Sequence, residues 1–158
     1  MTPIRWVRMA LRSPRTWLRV AGAWLILGGL AHFGWHVWTL VYENGMIGLR
    51  DFAANAMQQA RAPDPLQPSL WRQFRAFSSG FGLLLLFTGA VDWLMASRQT
   101  PDTTLKAYAV LATVFWAVAF VPYAFVDPII QALVITALAV PMHGIVYLLA
   151  ALPEDRDA

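Results

Sequence analysis

The 158-residue chain contains no cysteine, which excludes disulfides, thiolate metal sites, cysteine nucleophiles and covalently attached c-type haem. Charge is scarce, at 13% of residues, and Lys106 is the one lysine. Also missing are a G-x-S-x-G elbow, a phosphate-cradling glycine loop and an H-E-x-x-H pair, spacings on which several nucleophilic, nucleotide and zinc-hydrolase chemistries depend. There is no internal repeat and no low-complexity tract. What fills the chain is apolar surface. A hydrophobic content of 58% and a mean hydropathy of +0.51 place it with membrane proteins.

A hydrocarbon core of about 30 Å is crossed by about 20 apolar residues in a helix. Four segments meet that length, 20–41, 77–97, 107–126 and 129–151, and Asp92 is the only formal charge inside them. The first follows a basic region as a secretory signal would. It exceeds the usual signal core of about 7–15 residues, and its exit "TLVYENG" has no small-residue cleavage pattern, so it reads as a retained helix.

Residues 1–19 form a basic arm. Arg5, Arg8, Arg12, Arg15 and Arg19 alternate spacings of three and four and make one helical stripe, with Trp6 and Trp17 suited to the headgroup level and Pro14 expected to break or kink the arm. Because this run abuts a spanning helix, anionic lipid is the partner it suits, and nucleic acid is not expected. With the arm in the cytoplasm, Arg98, Lys106 and Arg156 join it there, against Arg50, Arg61, Arg72 and Arg75 outside. The positive-inside rule therefore places both termini in the cytoplasm of a bacterial inner membrane.

The outer loop, 42–74, has Met46, Leu49, Ala53 and Ala60 at helical spacing, which predicts a short amphipathic interfacial helix ended by the prolines of "APDPLQPS". In "SRQTPDTT", Thr100 or Asp102 is the expected N-cap, with Pro101 in the first helical turn. "FVDPII" reads as an Asp127 cap with Pro128 at the first helical position, so the third and fourth helices form an antiparallel hairpin.

Polar residues in the spans share faces. Gly29, His32, His36, Thr39 and Glu43 line one side of the first helix, and Ser78, Gly82, Gly89, Asp92 and Ala96 one side of the second. Ala132, Thr136, Val140, His143 and Tyr147 do so in the fourth, while Tyr108, Thr113 and Tyr123 mark the third less clearly. At 1.5 Å of rise per residue, Asp92 and His143 fall about 7 and about 5 Å to the cytoplasmic side of their helix centres. A buried aspartate needs a partner, and His143 is the natural one. Pro122 and Pro141 free the carbonyls of Val118 and Ala137, and a kink at Pro141 would open a small cavity.

Several chemistries compete for this polar seam of His32, His36, Glu43, Asp92, His143 and Tyr147. A b-type haem would use His32 or His36 opposite His143 as axial ligands, making the chain an electron-transfer or haem-handling protein. A metal held by His32, His36 and Glu43 is short of ligands. Asp92 with His143 could serve a proton relay. No spacing demands an enzyme, and packing within the bundle accounts for the histidines without a cofactor.

The stretch "WRQFRAFSSGFGLLLLFTGAVDWLMA", with its aromatic entry into Gly80, Phe81 and Gly82, together with "GGLAHFG" around His32, resembles a group of small bacterial four-helix membrane proteins of unknown function. The resemblance covers about a third of the chain and implies architecture alone. The expectation is one all-α domain, 1–158: an integral membrane four-helix bundle with a basic amphipathic arm and an interfacial helix in the first loop. Its expected role is a non-enzymatic module that packs with a membrane-protein partner or a second copy, or holds a small hydrophobic ligand.

Overall fold

The computed structural model describes residues 12–42, 56, 70–125 and 130–152, with 36–42 and 70–75 described by their backbone alone. The basic arm before Arg12, the interfacial helix of the outer loop and the Asp127–Pro128 cap lie outside the described residues. Four helices make up the rest: α1 (Pro14–Tyr42), α2 (Leu70–Met95), α3 (Asp102–Phe125) and α4 (Ile130–Ala151). Three of them hold candidate membrane spans, Ala76–Met95, Asp102–Phe125 and Ile130–Ala151.

The helix ends follow from local chemistry. Pro14 opens α1, as suits a proline at the first helical position, which has no N–H to leave unpaired. The Ser13 carbonyl before it accepts from the amides of Thr16 and Trp17 at 3.1 and 3.4 Å. Helix α1 thus begins six residues ahead of the expected span start at Val20. The cap of α3 also differs from expectation. Pro101 precedes the helix and its carbonyl takes the Leu105 amide at 3.0 Å, while Asp102 occupies the first turn, where its charge suits the positive end of the helix dipole. Helices α3 and α4 continue through Pro122 and Pro141.

The described contacts fall into two compact units, one formed by α1 up to Ile26 together with the chain from Phe87 onward, the other by Leu27–Leu86. All four helices contribute to the first. Its core joins Leu18 of α1, Ala96 beyond α2, Leu105 and Ala109 of α3, and Val146 of α4. The start of α3 therefore meets the end of α4, the antiparallel arrangement that a connection over 126–129 requires. Arg15 ties α1 to the α2–α3 connection: its guanidinium donates to the carbonyls of Ser97 (3.3 Å) and Thr100 (2.8 Å) and pairs with Asp102 at 2.9 Å. The arginine read as part of a headgroup stripe is thus a clasp within the fold.

Small residues set the closest approaches. In the first unit a Cβ at Gly89 would meet the Gly22 carbonyl oxygen at 2.6 Å and Ile26 Cγ1 at 2.7 Å. In the second, a Cβ at Gly29 would meet Leu86 Cγ at 2.8 Å and the Gly82 carbonyl oxygen at 2.9 Å. Such backbone-to-backbone packing drives helix association where lipid is as apolar as leucine. Gly80 faces open space instead, with nothing within 4 Å of the position a Cβ would take. Gly89→Ala is expected to lower stability by about 1–3 kcal/mol through overpacking, whereas Gly80→Ala should raise it by about 0.5–1 kcal/mol through helix propensity. Unfolding midpoints in a denaturing-detergent titration measure both, and equal shifts would refute the close approach.

Candidate functional site

Three polar side chains from three helices of the first unit meet in its interior. Asp92 lies one turn before the end of α2, Tyr108 two turns into α3, and His143 two turns before the end of α4. Asp92 and His143 are fully buried, and Tyr108 is half-buried. Tyr108 donates its hydroxyl hydrogen to Asp92 Oδ1 at 2.6 Å. His143 Nε2 is 3.2 Å from both Asp92 carboxylate oxygens. The Tyr108 and His143 rings meet edge-on, with centroids 6.5 Å apart.

The other ring nitrogen fixes the proton inventory. His143 Nδ1 is 2.8 Å from the Ala139 carbonyl oxygen, one turn earlier in α4. A carbonyl only accepts, so Nδ1 carries a hydrogen. A further proton can occupy the contact between Nε2 and the carboxylate. On the histidine it makes an imidazolium–carboxylate pair, and on the aspartate a neutral acid–base pair. Both arrangements are neutral overall, which lowers the cost of burial among apolar helices.

Glycine makes room for the cluster on the α1 side. A Cβ at Gly22 would come 2.9 Å from Asp92 Cβ and 2.6 Å from Trp93 Cδ1, so the buried Gly22 lets α1 close over the base of the aspartate. Deeper in the same unit the Thr136 hydroxyl returns to the Ala132 carbonyl at 2.8 Å, and Trp24 Nε1 donates to the Ile135 carbonyl at 3.3 Å. Trp116 is fully buried, and its indole N–H has no hydrogen-bond partner among the described residues.

The remaining seam residues take different places. In the second unit, His32 Nε2 lies 2.9 Å from the Ser78 hydroxyl and 3.0 Å from the Ser78 carbonyl, with its ring edge-on to Phe81. The hydroxyl can donate or accept, so the histidine is matched in either tautomer. The side chains of His36 and Glu43 lie outside the described residues. Tyr147 is 41% exposed and Val146 takes the buried position beside it. At 100° per residue, the buried arc of α4 through Ala132, Ile135, Thr136, Ala139, His143 and Val146 leaves Tyr147 at its margin.

This geometry bears on the haem and metal readings. An axial histidine presents a free imidazole nitrogen to iron, with its other nitrogen on a hydrogen-bond acceptor. His143 meets the second condition and fails the first, because Nε2 faces the Asp92 carboxylate in a fully buried contact. The residues do not fit a haem held by His143. Among the described residues, no group of three or more histidine and acidic side chains converges as a metal site.

Sequence spacing pairs Asp92 with His143 and marks Tyr108 only as one of three less clear polar positions of α3, without joining it to the pair, and it passes over Gly22 as the residue that admits them. A signal for Tyr108 exists. Side chains tilt toward the N-terminus of their helix, so a tyrosine in the second turn of α3 leans back toward the level of an aspartate one turn from the end of α2. No family model, curated protein or solved structure matches the chain.

Removing either partner strands the other in apolar surroundings. Asp92→Leu and His143→Phe should each destabilise the protein by about 3–5 kcal/mol, and the double variant should fall short of their sum by about 1–3 kcal/mol. A double-mutant cycle on unfolding free energies in detergent measures this. Additive losses would mean that the two side chains do not act as a pair.

Proposed function

We propose that the chain is a multi-pass inner-membrane protein that holds a small hydrophobic molecule against the α3–α4 hairpin, without carrying out chemistry on it. The observation that carries this reading is a shallow, open cavity of about 200 Å3 on the surface of the hairpin, lined by Ala117 and Phe120 of α3 and Ala137 and Val140 of α4. Its volume matches a ring or a short length of acyl or prenyl chain lying along the hairpin. The lining offers no ionisable side chain to a reactant. Asp92 and His143, the groups best suited to acid–base work, are sealed from any substrate.

Membrane placement is supported by the three candidate spans and by large apolar side chains left exposed along them, such as Phe87, Leu94, Leu111, Val118 and Leu148. On this reading α1 is the fourth span, and its charged beginning sits in the interface. The proposed orientation draws support from the Arg15 clasp, which holds the start of α1, with Arg12 and Arg19, beside the α2–α3 connection that carries Arg98. A basic end belongs in the cytoplasm. The bilayer is then the constant partner, and a second copy or a membrane-protein partner would use the exposed apolar faces.

Native mass spectrometry of the protein released from its own membrane in mild detergent tests the reading. The expected spectrum contains a bound apolar molecule that is lost in Ala137→Phe, where the added ring fills the cavity. A stoichiometric protein partner with no bound small molecule would replace the ligand reading with that of an interaction module.

A further inference from the structure

We propose that Asp92 and His143 form a binding site for a single exchangeable proton, loaded and unloaded from one end only, through the hydroxyl of Tyr108. The inference is independent of the apolar cavity, and rests on the hydrogen-bond order of the buried cluster. Tyr108 Oη, the Asp92 carboxylate and His143 Nε2 form a continuous chain with contacts of 2.6 and 3.2 Å. Of the three residues, Tyr108 alone keeps exposed surface, while Asp92 and His143 have none. The histidine end is closed, because Nδ1 already gives its hydrogen to the Ala139 carbonyl, which has no hydrogen of its own to pass on.

Loading can be written with every proton accounted for. In the unloaded state Asp92 is a carboxylate and His143 a neutral imidazole protonated at Nδ1, so the cluster carries one negative charge. A proton from water bonds to Tyr108 Oη as the phenolic O–H bond breaks and its hydrogen moves to Asp92 Oδ1. The carboxyl group then shares that hydrogen with His143 Nε2, and the phenol is restored. The charge passes from minus one to zero. Unloading reverses the same steps at the same end. The Ala139 carbonyl ends the chain, so the site stores and returns a proton and does not conduct one across the membrane.

The surroundings leave the exchange to these three groups. On the α1 side the neighbour of Asp92 is Gly22. Among the described residues, the other charged groups at this end are Arg12, Arg15 and Arg19 at the start of α1, Arg98 in the connection, and Asp102 and Lys106 on α3. Arg15 and Asp102 are spent on each other, Arg12, Arg19 and Arg98 are exposed, and Lys106 is half-buried. Among the charged groups of the described residues, Asp92 is the one that faces His143 Nε2.

The test is nitrogen-15 NMR of histidine-labelled full-length protein in lipid nanodiscs, titrated with pH and then transferred to deuterated water. His143 should keep Nδ1 protonated throughout and show one proton step at Nε2, absent in Asp92→Asn. Tyr108→Phe, which keeps the ring and removes only the hydroxyl, should slow deuterium exchange at Nε2 about a hundredfold, the scale of a lost proton-transfer group. That variant carries the test if Asp92→Asn fails to fold. Exchange equally fast in Tyr108→Phe and the native protein, or no proton step at His143 over the range in which the protein stays folded, would overturn the proposal.

Discussion

The fold turns on one carboxylate that has to be buried. Asp92 is fully enclosed in a mainly apolar helix interior, and an isolated charge in such a place costs several kcal/mol even with local relaxation. It is tolerated because two other helices bring hydrogen-bonding partners to it, Tyr108 from α3 and His143 from α4. Each contact is directional, so together they fix the rotation and height of α2, α3 and α4 within the first unit. Sliding any one helix by a turn, about 5.4 Å, would strand the aspartate.

That directional requirement complements a second, non-directional one. Between helices in lipid, apolar burial gives little preference for one register over another, and close packing of small residues supplies the attraction. Gly22 and Gly89 bring α1 against α2 in the first unit, as Gly29 and Gly82 do in the second. The same Gly22 whose missing side chain permits that approach also leaves space at Asp92 Cβ. Packing and polar satisfaction therefore converge on one position, where any larger residue would have to displace the aspartate or the helix.

The parts of this arrangement legible in the sequence are those with a strong periodic or solvation signal. Apolar runs mark the helices, and depth along them pairs Asp92 with His143, because a lone carboxylate between two greasy segments has few places to go. Tyr108 is less visible, since a tyrosine near a helix start is equally at home in the headgroup region. Arg15 is misleading for a related reason. Its spacing with Arg12 and Arg19 makes a convincing stripe, yet Ser97, Thr100 and Asp102 offer it acceptors that only the folded connection assembles. His32 meets Ser78 on the neighbouring helix, a contact that face counting along a single helix does not show. Tyr147 shows the limit of face counting, because one residue of rotation separates it from the buried Val146.

The most direct measurement is a dipolar-coupling experiment by solid-state NMR between the His143 Nε2 nitrogen and the Asp92 carboxyl carbon, with the full-length protein in lipid bilayers. The account predicts the strong coupling of a direct hydrogen-bonded contact, matching the 3.2 Å approach of nitrogen to both oxygens. Absence of coupling between those two nuclei in folded protein would show that Asp92 is satisfied elsewhere, and would remove the interaction that sets the register of α2, α3 and α4.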